Sequence, residues 1–104
     1  MRVISGIAKG IQLKTPEGMQ TRPTTDRVKE AMFSIIQFEL AGANVLDLFG
    51  GTGQLGIEAL SRGAKSAVFV DSQESACRLI KENLKRTKLT EKARVVRGDY
   101  ISYL

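Results

Sequence analysis

The sequence predicts an α/β fold, a parallel sheet laid down in the order β-α-β-α-β behind a small hairpin arm and a helix. Two observations predict it. Three short apolar runs, Asn44-Val-Leu-Asp-Leu48, Ala67-Val-Phe-Val70 and Arg94-Val-Val-Arg97, each finish at or beside an acid, and segments of helical periodicity separate them. A glycine-rich loop, Asp47-Leu-Phe-Gly-Gly-Thr-Gly53, carries the first run straight into a helix. Strands alternating with helices imply parallel pairing through right-handed crossovers.

Each element has its own reason. In residues 1–15, β-branched residues flank a glycine turn near Ala8-Lys9-Gly10, which predicts two short strands. Pro16 and Gly18 punctuate a loop that reaches Arg22-Pro23, where the residue before proline is pushed toward an extended conformation. From Thr25 to Glu39, Val28, Ala31, Met32, Ile35 and Ile36 recur at steps of three and four, predicting a helix with a core-facing stripe. Thr24 or Thr25 suits its N-cap, Asp26 complements its dipole, and Gly42 closes it. Gln54 to Arg62 forms the next helix, stopped by Gly63 in the left-handed conformation. Ser72 then caps a helix whose Ala76, Leu79, Ile80 and Leu84 share a face, with Cys77 as a small buried residue. The chain divides into an arm and loop, 1–24, and half of a cofactor-binding domain, 25–104.

Composition narrows the chemistry. A length of 104 residues is short for a complete doubly wound fold. With no histidine and one cysteine, Ser-His and Cys-His nucleophiles, an internal disulfide and a Cys-rich zinc cluster are excluded. No apolar run approaches the roughly 18 residues that span a bilayer, and no signal-peptide pattern opens the chain. The expectation is a cytoplasmic protein with no membrane partner. The net charge of +5 is uneven: residues 1–16 hold Arg2, Lys9 and Lys14 without an acid, and 78–97 hold eight basic residues against Glu82 and Glu91. Such patches suit a phosphate backbone or, equally, a solvated helix face.

A parallel sheet binds ligands at the carboxyl ends of its strands, where Asp47, Asp71 and Asp99 would share one edge. Gly50, Gly51 and Gly53 let the backbone turn sharply and approach a ligand closely, and the helix after them aims free N–H groups at the same place. Asp71 follows Gly53 by 18 residues, near the spacing at which an acid accepts from ribose hydroxyls. Gly51-x-Gly53-x-x-Gly56 also matches the dinucleotide fingerprint, so an NAD-binding dehydrogenase fragment is one alternative. Asp47 discriminates: an acid before the loop repels a pyrophosphate but suits the ammonium and sulfonium of S-adenosylmethionine. Asp99 and Tyr100 then fit the adenine, and Phe49 and Ser72 complete the expected cofactor set. The plainer alternatives make Asp71 a turn residue ahead of a helix and Asp99 a loop acid.

Three segments, Met1-Arg-Val-Ile-Ser-Gly, Arg22-Pro-Thr-Thr-Asp-Arg-Val-Lys-Glu-Ala-Met-Phe33 and Asp47-Leu-Phe-Gly-Gly-Thr-Gly-Gln-Leu-Gly-Ile-Glu-Ala-Leu-Ser-Arg-Gly63, closely resemble the bacterial 16S ribosomal RNA guanine-N2 methyltransferases of the RsmD type. The glycine motif is common to many methyltransferases; Arg-Pro-Thr-Thr-Asp-Arg at this distance before it is far more specific. The resemblance implies a Rossmann-like class I methyltransferase fold, here incomplete, and transfer of a methyl group from S-adenosylmethionine to the N2 of one guanine. It matches Asp47, Gly50, Gly51 and Gly53 to the methionine-side loop, Asp71 to the ribose acid, and Asp99 with Tyr100 to the adenine contact. It also makes Arg2, Lys9, Lys14, Arg22 and Arg27 candidates for contact with 16S rRNA or the assembling small subunit.

In one respect the chain departs from that family. Its members carry an Asn/Asp-Pro-Pro-aromatic motif after the fourth strand, which holds the flipped base with its nitrogen aimed at the methyl group. The only prolines here are Pro16 and Pro23. The chain is therefore expected to supply cofactor binding without catalysing transfer alone. Its sheet edge, left open by truncation, proteolysis or pairing with another chain, offers a route to self-association. A non-enzymatic RNA-binding module is the remaining alternative.

Overall fold

The computed structural model describes residues 2–15, 30–35, 39–48 and 52–99. Three parallel strands, β1 (Asn44–Asp47), β2 (Ser66–Asp71) and β3 (Ala93–Arg97), form a sheet in the order β1-β2-β3. Helix α1 (Gln54–Ser61) joins β1 to β2, and α2 (Glu74–Thr87) with a short 3-10 turn (Thr90–Lys92) joins β2 to β3. The expected β-α-β-α-β succession is present. β2 lies in the middle and buries Ala67, Phe69 and Val70, the near-continuous apolar pattern of a parallel strand covered on both faces.

Each helix is fixed by local chemistry and by its buried face. α1 buries every residue from Gly56 to Ser61. It ends as expected: Gly63 takes φ 114°, its amide donates to the Leu60 carbonyl, and the Ala64 amide donates to that of Ala59. Gly42 likewise closes the preceding helical segment at φ 75°. α2 buries Cys77, Ile80 and Leu84 on one stripe, together with the polar Asn83 and Thr87. Its C-terminus repeats the same hydrogen-bonded stop, with Lys88 in the left-handed position at φ 60°. Among the described residues, no helix is long and apolar enough to cross a membrane.

Three expectations are corrected. The arm is not a two-stranded ladder: one antiparallel bridge, Arg2 to Gln12, closes a turn, and Val3, Ala8 and Leu13 enter the main core. The hairpin turn itself is present, with the Val3 amide donating to the Ile11 carbonyl and the Gly10 amide to the Val3 carbonyl, and α1 and α2 add further order. The carboxylate of Glu58, 0% exposed, accepts the amides of Ile4 (2.9 Å) and Ser5 (3.0 Å). The Ser61 hydroxyl accepts the Ala8 amide and donates to the Ser5 carbonyl.

The second correction concerns the first helix. Residues 30–35 and 39–40 are helical, but Phe33 and Leu40, seven apart, face the core, while Ala31, Met32 and Ile35 are exposed, Ile35 at 82%. Both faces are apolar, so periodicity found a stripe but not the one the core takes. Phe33 wins because its ring also carries the Arg62 guanidinium, 4.8 Å from the centroid. Val28, Ile36, Thr24, Thr25 and Asp26 lie outside the described residues. Third, Ser72 does not cap α2. Gln73 is the N-cap, without a side-chain bond, and the carboxylate of Asp71 takes the Gln73 amide at 2.9 Å. An acid two residues before that amide forms the turn that Ser72 was expected to supply.

Candidate functional site

The parallel register brings the strand-end acids to one edge. Asp47 closes β1 opposite Phe69, Asp71 closes β2 opposite Arg97, and Asp99 follows β3 by two residues. The Gly98 amide donates to the Asp71 carbonyl at 2.9 Å, which ties the ends of β2 and β3 together and holds Asp99 beside Asp71. Asp99 is exposed, Asp71 half-buried, and Asp47 only 9% exposed.

Asp47 lies under the start of α1, where its Oδ2 accepts the Gly56 amide at 3.3 Å. A carboxylate against a helix N-terminus is electrostatically favoured. It also occupies, with a protein anion, the place where a dinucleotide fold presents helix amides to a pyrophosphate. Gly56 itself serves packing: a Cβ there would stand 2.3 Å from Phe69 Cε1. The third glycine of the dinucleotide pattern is thus explained by α1 lying tightly on β2.

Between β1 and α1 the loop turns through Gly53, at φ 80°. A side chain there would be strained, and its Cβ would press on Ile80 and Ile57 at 3.2 to 3.3 Å. Immediately after it, Gln54 Oε1 is buried with no hydrogen-bond partner among the described residues. A buried acceptor next to a glycine turn fits a ligand that carries N–H or O–H donors, as the amino, ribose and adenine groups of S-adenosylmethionine do. Beneath Asp71, the Cys77 Sγ lies 3.6 Å from the Asp71 carbonyl, and burial first, then the Asp71 charge, push its thiol pKa up. That suits a packing residue rather than a nucleophile. Phe49, Gly50, Gly51 and Tyr100 lie outside the described residues, as do Arg22 and Arg27.

The basic candidates on the arm are exposed but separated. Lys9 sits on the turn held against the C-terminal end of α1, where the Ile7 amide donates to the Ser61 carbonyl, about 12 Å of helix away from the glycine loop. Arg2 is exposed at the bridge to Gln12. Lys14 is different. Its Nζ lies 3.4 Å from Glu82, and its backbone is bound by the Asn83 side chain, which also donates to the Thr52 carbonyl of the loop. A cleft of about 540 Å³ between the arm turn and Ser61–Gly63 lies at the far end of α1 from the acids. Among the described residues its one charged side chain, Arg62, is already engaged by Glu58 at 2.9 Å and by Phe33.

Sequence reasoning missed Glu58, Ser61 and Asn83. The available signal was a polar residue on a stripe otherwise apolar, as Asn83 is between Ile80 and Leu84.

A family model described as "Conserved hypothetical protein 95" matches residues 1–104. The chain belongs to this family. It is the family of ribosomal RNA small subunit methyltransferase D, as the Arg-Pro-Thr-Thr-Asp-Arg and glycine-loop segments led one to expect. The Bacillus subtilis protein named "Putative rRNA methyltransferase YlbH" is 52% identical over 99 residues, 95% of this chain and 54% of its own length. Ribosomal RNA small subunit methyltransferase D of Escherichia coli strain K12 is 38% identical over 104 residues, 100% of this chain and 52% of its own length. Among solved structures, "Putative methyltransferase yhhF from Escherichia coli" superposes with a TM-score of 0.88 at 38% identity, covering 99% of this chain and 55% of that one. The chain spans about half the length of these relatives. Its three-stranded sheet is part of a Rossmann-like class I methyltransferase fold.

Proposed function

We propose that this chain forms the cofactor-binding part of an S-adenosylmethionine-dependent enzyme that methylates the exocyclic N2 of a guanine in 16S ribosomal RNA. It acts in the cytoplasm on the small-subunit RNA or its assembly. The observation that carries the reading is the meeting of Asp47, Asp71 and Asp99 at one sheet edge, beside a left-handed glycine turn, in a member of this family.

The chain's own residues divide the work of binding. The Asp71 carboxylate accepts from ribose hydroxyls, and the Asp99 carboxylate from the adenine amine, with Tyr100 offering a packing surface. Asp47 lends negative potential to the ammonium and sulfonium end, and the Gln54 acceptor, unpaired among the described residues, takes a further donor. When bound, the cofactor supplies an electrophilic methyl group on sulfur. Orienting the guanine nitrogen requires an Asn/Asp-Pro-Pro-aromatic segment, and with only Pro16 and Pro23 this sequence does not contain one. Arg2, Lys9, Lys14, Arg22 and Arg27 contribute phosphate contacts.

Calorimetric titration with S-adenosylhomocysteine tests this. Saturable one-to-one binding is expected, weakened about 10- to 100-fold in Asp71→Ala, since a hydrogen bond to a charged group is worth about 1.5 to 3 kcal/mol. NADH should give no heat. A sample folded by circular dichroism that ignores S-adenosylhomocysteine, or binds NADH as well, overturns the proposal.

A further inference from the structure

Asn83 is 0% exposed on α2, and its amide group makes three hydrogen bonds. Oδ1 accepts the Lys14 amide at 2.6 Å, and Nδ2 donates to the Lys14 carbonyl and to the Thr52 carbonyl, both at 2.9 Å. Toward the arm, the side chain behaves as a neighbouring strand would, pairing with both backbone groups of one residue. Toward the loop, it grips the carbonyl immediately before Gly53. One turn earlier on the same face, Ile80 packs against Gly53 itself. A leucine would continue the apolar stripe of α2 at this position. An amide is instead buried there with three partners, each costly to leave unpaired.

We infer that Asn83 is a positioning residue that couples the N-terminal arm to the cofactor loop. The amide is planar and its two Nδ2 hydrogens serve two different segments, so displacing the Thr52 carbonyl disturbs the bonds to Lys14, and the reverse. A ligand that fixes the loop therefore also fixes the arm. By thermodynamic reciprocity, RNA held on the arm strengthens cofactor binding by the same factor. The identity of these ligands rests on the function proposed above; the coupling rests on the hydrogen bonds.

Hydrogen exchange read by mass spectrometry on the chain and on Asn83→Ala tests it, at a temperature where circular dichroism shows both folded. In the parent chain, S-adenosylhomocysteine should slow exchange in residues 52–56 and, about fivefold or more, in residues 11–15. In Asn83→Ala the loop should still slow and the arm should not. A merely structural Asn83 would lower the melting temperature and leave that pattern intact. Where the ligand slows the loop, an arm left unprotected in the parent chain, or still protected in the variant, overturns the coupling. Without ligand, Asn83→Ala should also speed exchange in both 11–15 and 52–56 relative to β2, and acceleration confined to the arm overturns it. Should S-adenosylhomocysteine fail to bind, the proposed function falls while this comparison still decides the coupling. Asn83→Asp, which keeps the acceptor for the Lys14 amide and loses both donations, is the second variant if alanine does not fold. Its loop should exchange faster than the parent's, and an unchanged loop overturns the proposal.

Discussion

Replacing Gly56 with alanine sets two effects of opposite sign against each other. In an open helix the change would stabilise by about 1 kcal/mol, because alanine loses less backbone entropy than glycine. Here the new Cβ would stand 2.3 Å from Phe69 Cε1, 2.6 Å from Cζ and 3.2 Å from Cδ1. Carbon atoms pack comfortably at about 3.5 to 4.0 Å. Phe69 is fully buried in the central strand, so its ring has no space to swing into, and relief requires α1 to lift off the sheet by about 1 Å. Overpacking of this kind costs about 1 to 3 kcal/mol, and two contacts below 3.0 Å put this case at the upper end. The net expectation is a loss of about 2 kcal/mol, or roughly 10 °C in melting temperature for a domain of this size. Urea unfolding followed by circular dichroism measures it. Gly10→Ala is the control, since a Cβ there meets nothing within 4 Å and only its φ of 85° is strained, costing about 1 kcal/mol. A Gly56→Ala variant as stable as the parent would refute the close helix-to-strand contact and the account of why this glycine is present.

Four further outcomes follow from the same geometry. Glu58→Ala strands the half-buried Ile4 and Ser5 amides and the Arg62 guanidinium, and should cost about 3 kcal/mol in urea unfolding, with faster proteolysis of the arm. Breaking the exposed Arg78–Glu74 pair by Arg78→Ala should cost less than about 0.5 kcal/mol, and equal losses for the two would contradict the burial argument. Lys88→Gly relieves a left-handed residue at the end of α2 and should raise stability by about 1 kcal/mol; a fall in melting temperature would count against that helix stop. Burial, with Asp71 adding to it, raises the Cys77 pKa, so the folded state holds its proton more firmly than the unfolded chain. Stability from this source is fully present at neutral pH and is lost as pH rises past the ordinary thiol range, about 8.5. Melting temperature should accordingly fall more between pH 8 and pH 10 in the parent than in Cys77→Ala, and parallel slopes would refute it.

What could be read from the sequence is what local backbone chemistry dictates. The strands around Val45, Phe69 and Val95, the turn at Gly53 and the stop at Gly63 each declare themselves within a few residues, and parallel order then brings Asp47, Asp71 and Asp99 to one edge without further information. The first helix shows where such reading fails. Its stripe through Ala31, Met32 and Ile35 is as periodic as the Phe33 to Leu40 stripe that the core takes, and the deciding contact is with Arg62, far along the chain. The arm fails for the same reason. Its β-branched residues suggested a ladder, yet its backbone groups bond to Glu58, Ser61 and Asn83 at separations of 53 to 69 residues. A buried polar side chain on a helix can be noticed in a sequence; its partners cannot, because nothing near Asn83 indicates that Lys14 and Thr52 will meet there. The consequence is specific to this site. The acids proposed to touch the cofactor close or follow strands and lie within local patterns, whereas Asn83, which holds Thr52 of the loop against the arm, acts through tertiary contacts. Substitution at Glu58 should therefore disturb stability, and substitution at Asn83 the loop as well, through residues that no local motif marks.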